Sequence, residues 1–226
     1  DVYKRQGDAF EATVVEKLVA KHANNGLRVI TANASKNTAA ALLDPNVHFL
    51  LGAVIDEDTE QELGHLRGHT PRLTNLSSKP DLLVRFDANS WLPVDIKFHN
   101  PLVKGEQLRI CTTPFGGMTP TSADTGGRLE RDDALQLAHY FTHLDALGLA
   151  SETPWAGIIG KEENADVVRW QLLDEKTMML NGRASALEVY ADGIAKATKI
   201  VEQAIARNGN HQLPAPAIPM VMPGTK

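Results

Sequence analysis

The chain carries a single cysteine, Cys111, in 226 residues. That excludes an intrachain disulfide framework and any cysteine-rich zinc or iron–sulfur site within these residues. No stretch approaches the ~20 apolar residues of a membrane helix, and the N-terminus lacks the basic-then-apolar pattern of a secretory signal. No GxxxxGK[ST] phosphate loop is present, so the chain is not itself an ATP-driven motor. Positive charge is also short: 23 Lys and Arg against 28 Asp and Glu leave a net charge of −5. Such a balance argues against an extended, electrostatically driven nucleic-acid surface, although a carboxylate-lined metal pocket is itself acidic. These absences leave a soluble protein with no membrane partner, for which a reducing cytoplasm is the default.

An apolar fraction of 42% and a charged fraction of 23% suit one substantial core. Residues 1–6, DVYKRQ, look unrelated to the rest of the chain and read as an artefactual leader. Residues 7–208 read as one domain. Residues 209–226 are rich in Pro and Gly without periodicity and read as a linker to a missing C-terminal region.

Hydrophobic spacing predicts helices over 8–23, about 38–43, 129–147 and 182–207, with Gly148 as the C′ residue of the third. The last should turn Leu187, Tyr190, Ile194, Val201 and Ile205 to one face. Strands are expected at 27–31, 81–86, 91–98, 155–160 and 166–173, the second and third paired as a hairpin over Asp87–Ser90. Pro93 inside the third favours an edge or a bulge for it. The Pro and Gly residues between 99 and 128 predict a long loop, a candidate lid. The order makes an α/β fold, a central mixed sheet flanked by helices.

Alternation along residues 91–98 puts Asp95 and Lys97 on one face, with Val94, Ile96 and Phe98 on the other. Asp81 opens the partner strand after Pro80, where it comes close to Asp95 across the hairpin. Two converging carboxylates repel, and a hard divalent cation such as Mg²⁺ or Mn²⁺ relieves this. An isolated Asp-X-Lys is more often a solvated strand face. At ~100° per residue, however, Glu11 falls near the middle of the arc of Phe10, Val14, Val15, Leu18 and Val19. A carboxylate there is costly unless paired or metal-bound. Gln136, Tyr140 and His143 form a polar stripe beside Leu137, Phe141 and Leu144. His139 and His143 have a ligand spacing but no HExxH pattern, which leaves little case for zinc; His22, His48, His65, His69 and His99 show no ligand spacing.

The ordered set Gly7-x-x-Phe10-Glu11, Lys79-Pro80-Asp81, Asp95-Ile96-Lys97 and Gln136-x-x-x-Tyr140 resembles the PD-(D/E)XK nuclease superfamily. Within it, the set is most similar to the RecB-type branch of stand-alone nucleases. The resemblance covers residues 7–205, with insertions near 35–75 and 99–128. It implies a restriction-endonuclease-like core and a metal-dependent hydrolase of DNA phosphodiester bonds acting in repair, recombination or defence. Asp81, Asp95 and the Ile96 backbone carbonyl would hold Mg²⁺ or Mn²⁺, joined by Glu11, which stands where many relatives have a His. Lys97 would position the attacking water and stabilise the charged transition state. Gln136 and Tyr140 would contact the nucleic-acid strand or brace the site. DNA is the implied partner, with a helicase or further domains of a longer chain as additional ones. Relatives often carry four cysteines for an iron–sulfur cluster; this chain departs from that pattern. Two other readings are a catalytically inactive nucleic-acid-binding module with a nuclease fold, and an unrelated α/β enzyme matching by coincidence.

Overall fold

The computed structural model describes residues 2–67, 77–122, 124–161, 166–177 and 184–208. The linker reading over 209–226 lies outside them. The described residues form a mixed α/β domain of eight strands in one open sheet and five helices. In chain order they are α1 (Val2–His22), β1 (Leu27–Val29), α2 (Ala34–Leu43), β2 (Phe49–Leu51), α3 (Glu57–Arg67), β3 (Leu82–Arg85) and β4 (Trp91–Lys97). Then come β5 (Leu102–Pro114), β6 (Asp124–Leu129), α4 (Arg131–Ala146), β7 (Trp155–Gly160), β8 (Val167–Leu172) and α5 (Ala186–Asn208). The sheet order is β1-β2-β3-β4-β7-β8-β5-β6. None of the described helices is long and apolar enough to cross a membrane.

Alternation along the strands divides the core into two faces. Leu82, Val84, Leu92, Val94 and Ile96 pack with Val14 and Leu18 of α1 and with Trp170 of β8. On the other face, Leu83 and Trp91 join Leu42 of α2, Leu63 of α3 and Leu144 of α4, while Ala156 and Ile158 of β7 join Leu137 and Phe141 of α4. α4 therefore lies across β4 and β7 on the face opposite α1.

The hairpin forms as its pattern requires. β3 and β4 pair antiparallel, Leu82 with Val94 and Arg85 with Trp91. Asn89 donates its backbone N–H to the Asp87 carboxylate in the turn, and Phe86 N–H to the Ser90 carbonyl closes it. The edge position expected from Pro93 does not hold: β4 is central, flanked by β3 and β7. The parallel ladder to β7 begins at Val94, one residue past Pro93, so the proline stands before the first rung on that side. Gly148, at φ 65, ends α4 as expected. Its N–H reaches the Asp145 carbonyl and the Leu149 N–H reaches that of Leu144, a left-handed cap that costs glycine little.

Three expectations are corrected. The long loop over 99–128 is a strand pair, β5 against β6. Gly127 marks a close approach rather than a break, since a Cβ there would stand 2.6 Å from the Val103 carbonyl oxygen. The weakly patterned 35–75 stretch supplies β2, which sits inside the sheet between β1 and β3, and a helix α3 not expected. Asp56 starts that helix by accepting from the Thr59 N–H and hydroxyl. Finally, only the start of α5 packs: Leu187 and Tyr190 lie against α4, while Val201 and Ile205 are exposed. At the other end, residues 2–6 form the first turns of α1, with exposed side chains.

Candidate active site

The pairing of Leu82 with Val94, extended by one residue, sets Asp81 opposite Asp95. Asp95 and Lys97 share the face of β4 that looks toward α4, and Val94 and Ile96 enter the α1-side core. The Asp81 Oδ2 accepts the Ile96 N–H at 2.7 Å, which ties the start of one strand to the middle of its partner. The Asp95 carboxyl stands next to Asp81 and acts on its ionisation. The neighbouring carboxyl opposes ionisation of Asp81. Burial first, then the Asp95 contact and charge, with a smaller push from Glu11, raises the Asp81 carboxyl to about 8.

Asp95 is 2% exposed. Its Oδ2 lies 2.6 Å from the Lys97 Nζ, yet it makes no directed hydrogen bond among the described residues. The lysine's directed bond goes elsewhere, to the Gln136 Oε1 at 2.8 Å. The Gln136 amide nitrogen in turn donates to the Tyr140 hydroxyl. Burial foremost, with the Asp95 charge next, pushes the Tyr140 phenol up to about 12, so it stays a neutral hydroxyl. The polar stripe of α4 thus braces the amine of Lys97.

Glu11 differs from its expected setting. The apolar side of α1 is carried by Val14 and Leu18 with Phe10 and Val15 half-buried, and Glu11 is exposed. The helix rotates just enough to free the carboxylate into solvent, while its charge still reaches Asp81. His139 and His143 stack with ring centroids 4.3 Å apart. The His139 ring lies within hydrogen-bonding reach of the Tyr190 hydroxyl and the Ser77 carbonyl, 2.7 and 3.1 Å away. His143 is wholly buried, and neither of its ring nitrogens has a partner among the described residues. Burial, with His139 next to it, lowers its pKa to about 4, so it is a neutral core residue.

Two residues of this region were missed from sequence: His99, set aside for want of a ligand spacing, and Asp133, not weighed at all. Asp133, one turn before Gln136 on α4, is buried, with its Oδ2 3.2 Å from the His99 Nε2. Burial raises its pKa, against the lowering pull of His99 and Lys97. His99 continues the 95, 97 alternation past the end of β4. That alternation, and the i, i+3 spacing of Asp133 and Gln136, were the available signals.

Among the described residues no group of three or more His, Cys, Asp or Glu side chains is arranged to hold a metal ion. The donor set at Asp81 and Asp95 nevertheless suits Mg²⁺ or Mn²⁺, which commonly take one or two carboxylates and keep waters or substrate oxygens for the remaining positions. A divalent cation between the two carboxyls would offset the repulsion from Asp95 that raises Asp81. Comparison with protein-family models, with curated proteins and with solved structures gave no match.

Proposed function

We propose that this domain is a divalent-metal-dependent nuclease of the PD-(D/E)XK type, with a restriction-endonuclease-like core, that hydrolyses DNA phosphodiester bonds. The single observation that carries the reading is the juxtaposition of Asp81 and Asp95 beside Lys97 on adjoining strands, with Lys97 held by Gln136. A core gains nothing from two carboxyls and a lysine placed together without full hydrogen bonding, and a phosphoryl-transfer site needs such a set.

Asp81 and Asp95, with the Ile96 carbonyl, would hold the ion, and Glu11 adds negative charge at the rim. When bound, the ion would act as a Lewis acid on a phosphoryl oxygen. Lys97, one-quarter exposed, presents a fixed ammonium to the pentavalent charge and orients the attacking water. Gln136 fixes the lysine and Tyr140 fixes Gln136, so the helix stripe positions the reacting amine. Here Gln136 serves the lysine first, and any contact with the DNA strand is an additional role.

The test is cleavage of labelled DNA by wild type and Lys97→Ala with Mg²⁺ or Mn²⁺ and with EDTA. Loss of transition-state stabilisation by one positioned cation is expected to slow cleavage ~100-fold or more. A Lys97→Ala protein that cuts at the wild-type rate would remove the catalytic assignment.

A further inference from the structure

Two basic residues at the end of β4 face two acceptors on α4, and only one way of pairing them serves the reaction. Lys97 donates to the Gln136 Oε1 at 2.8 Å. Two residues further on, the His99 Nε2 stands 3.2 Å from the Oδ2 of Asp133, one helical turn before Gln136. We propose that His99 is a positioning residue for Lys97. It neutralises the buried Asp133 carboxylate, so that the Lys97 ammonium stays with Asp95 and Gln136 and keeps its charge for the substrate. The inference rests on the nuclease reading and deepens it.

Asp133 is 6% exposed, and its Oδ2 makes no directed hydrogen bond among the described residues. A carboxylate so placed costs free energy unless a charge or a proton compensates it. The helix does not need it there, because Asp132 already supplies an exposed negative charge to the same first turn. Burial raises the Asp133 carboxyl, and His99 foremost, then Lys97, pulls it back. Lys97 is therefore the next positive charge on which an unpaired Asp133 would draw. That ammonium already lies 2.6 Å from the Asp95 Oδ2. Sharing it with a second carboxylate would draw it away from Gln136 and leave less positive charge for a phosphoryl oxygen.

The ring contacts of His99 fix the proton count. The Asn100 carbonyl, 3.0 Å from Nδ1, can only accept, so Nδ1 carries an N–H. Nε2 is left beside Asp133. Without a proton between them, a ring lone pair and a carboxylate oxygen would repel each other at 3.2 Å. One proton therefore belongs to the pair, on the ring as imidazolium or on the carboxyl. In either form His99 and Asp133 together carry no net charge, and Lys97 faces a neutral pair. A glutamine in place of His99 could donate an N–H but has no such proton to give, and it would leave the charge of Asp133 whole.

The experiment is steady-state cleavage of labelled DNA in saturating Mg²⁺. His99→Ala should lower kcat about tenfold, the scale of coupling between neighbouring charges. KM should stay unchanged, because the loss falls on transition-state stabilisation by Lys97. Asp133→Asn added to His99→Ala removes the freed carboxylate and should restore kcat to within about twofold of wild type, a non-additivity that a packing role would not produce. His99→Gln should be as slow as His99→Ala, and it tests the claim where the alanine variant fails to fold. Wild-type kcat in either single variant, or a double variant as slow as His99→Ala, would overturn the role of His99 and leave the nuclease reading standing. A folded wild type that does not cut DNA with Mg²⁺ or Mn²⁺ would remove that reading, and this role with it.

Discussion

The two faces of β4 lie a few ångströms apart and do opposite things. On the α1 side, Leu92 and Val94 are fully buried in an apolar cluster with Val14, Leu18 and Trp170. On the α4 side, at similar depth, Asp95 is 2% exposed with an oxygen left without a directed hydrogen bond. Burial of each apolar side chain stabilises the fold by ~1.5–3 kcal/mol, whereas the buried Asp95 charge carries a desolvation cost that the Lys97 ammonium offsets. One strand thus anchors the sheet with one set of side chains and holds a buried ion pair, Asp95 with Lys97, with the other. The polar face is tolerated because the apolar face fixes the strand.

The comparison can be broken from either side. Leu92→Ala, on the apolar face, should lower stability by ~2–5 kcal/mol in urea unfolding, and the protein that remains folded should keep its site. The buried imidazole of His143, also on the α4 side, should show in the pH dependence. Its folded pKa of about 4 lies below the ordinary 6.5. The unfolded chain therefore binds the extra proton between these values, and stability is lost as pH falls from 6.5 toward 4. The loss is on the order of 3 kcal/mol, and His143→Leu should flatten that part of the stability–pH curve relative to wild type.

Asp81 carries the opposite sign. Its pKa is raised from 3.8 to about 8, so the folded state holds a proton that the unfolded chain releases. Metal-free stability is then full below 3.8 and falls as pH rises toward 8. Asp81→Asn, which keeps an oxygen for the Ile96 N–H, should raise metal-free stability by about 2 kcal/mol at neutral pH while abolishing metal-dependent cleavage. A variant that loses both stability and cleavage would make the pair a structural element instead. The smallest effect is expected at the brace: Gln136→Ala removes a hydrogen bond to a charged amine, worth ~1.5–3 kcal/mol. It should lower kcat ten- to a hundredfold with little change in melting temperature.

Local alternation made the hairpin legible, and with it the facing of Asp95 and Lys97, because a period of two fixes which side chains share a face. α4 and its Gly148 terminus were legible for similar reasons. The β5–β6 pair was not, because Gly126 and Gly127 have the composition of a loop. Only the approach of Ile110 and of the Val103 carbonyl shows why side chains are absent there. Pro93 misled in the same way, since its cost depends on which neighbouring ladder begins where. The pairing of His99 with Asp133 joins residues distant in sequence: alternation along β4 and the spacing on α4 place each on its own element, and only the packing of α4 on β4 brings them together. The exposure of Glu11 reflects the small rotation of α1 that packs Val14 and Leu18.

Cleavage of labelled single- and double-stranded DNA by wild type and Asp95→Asn, with Mg²⁺, Mn²⁺ or EDTA, tests the central claim most directly. Cutting by wild type that requires the divalent ion and disappears in Asp95→Asn is the expected result. Metal-dependent cutting that persists in Asp95→Asn, or a folded wild type that binds DNA and never cuts it, would contradict the account. The second outcome would make the domain a binding module built on the same sheet.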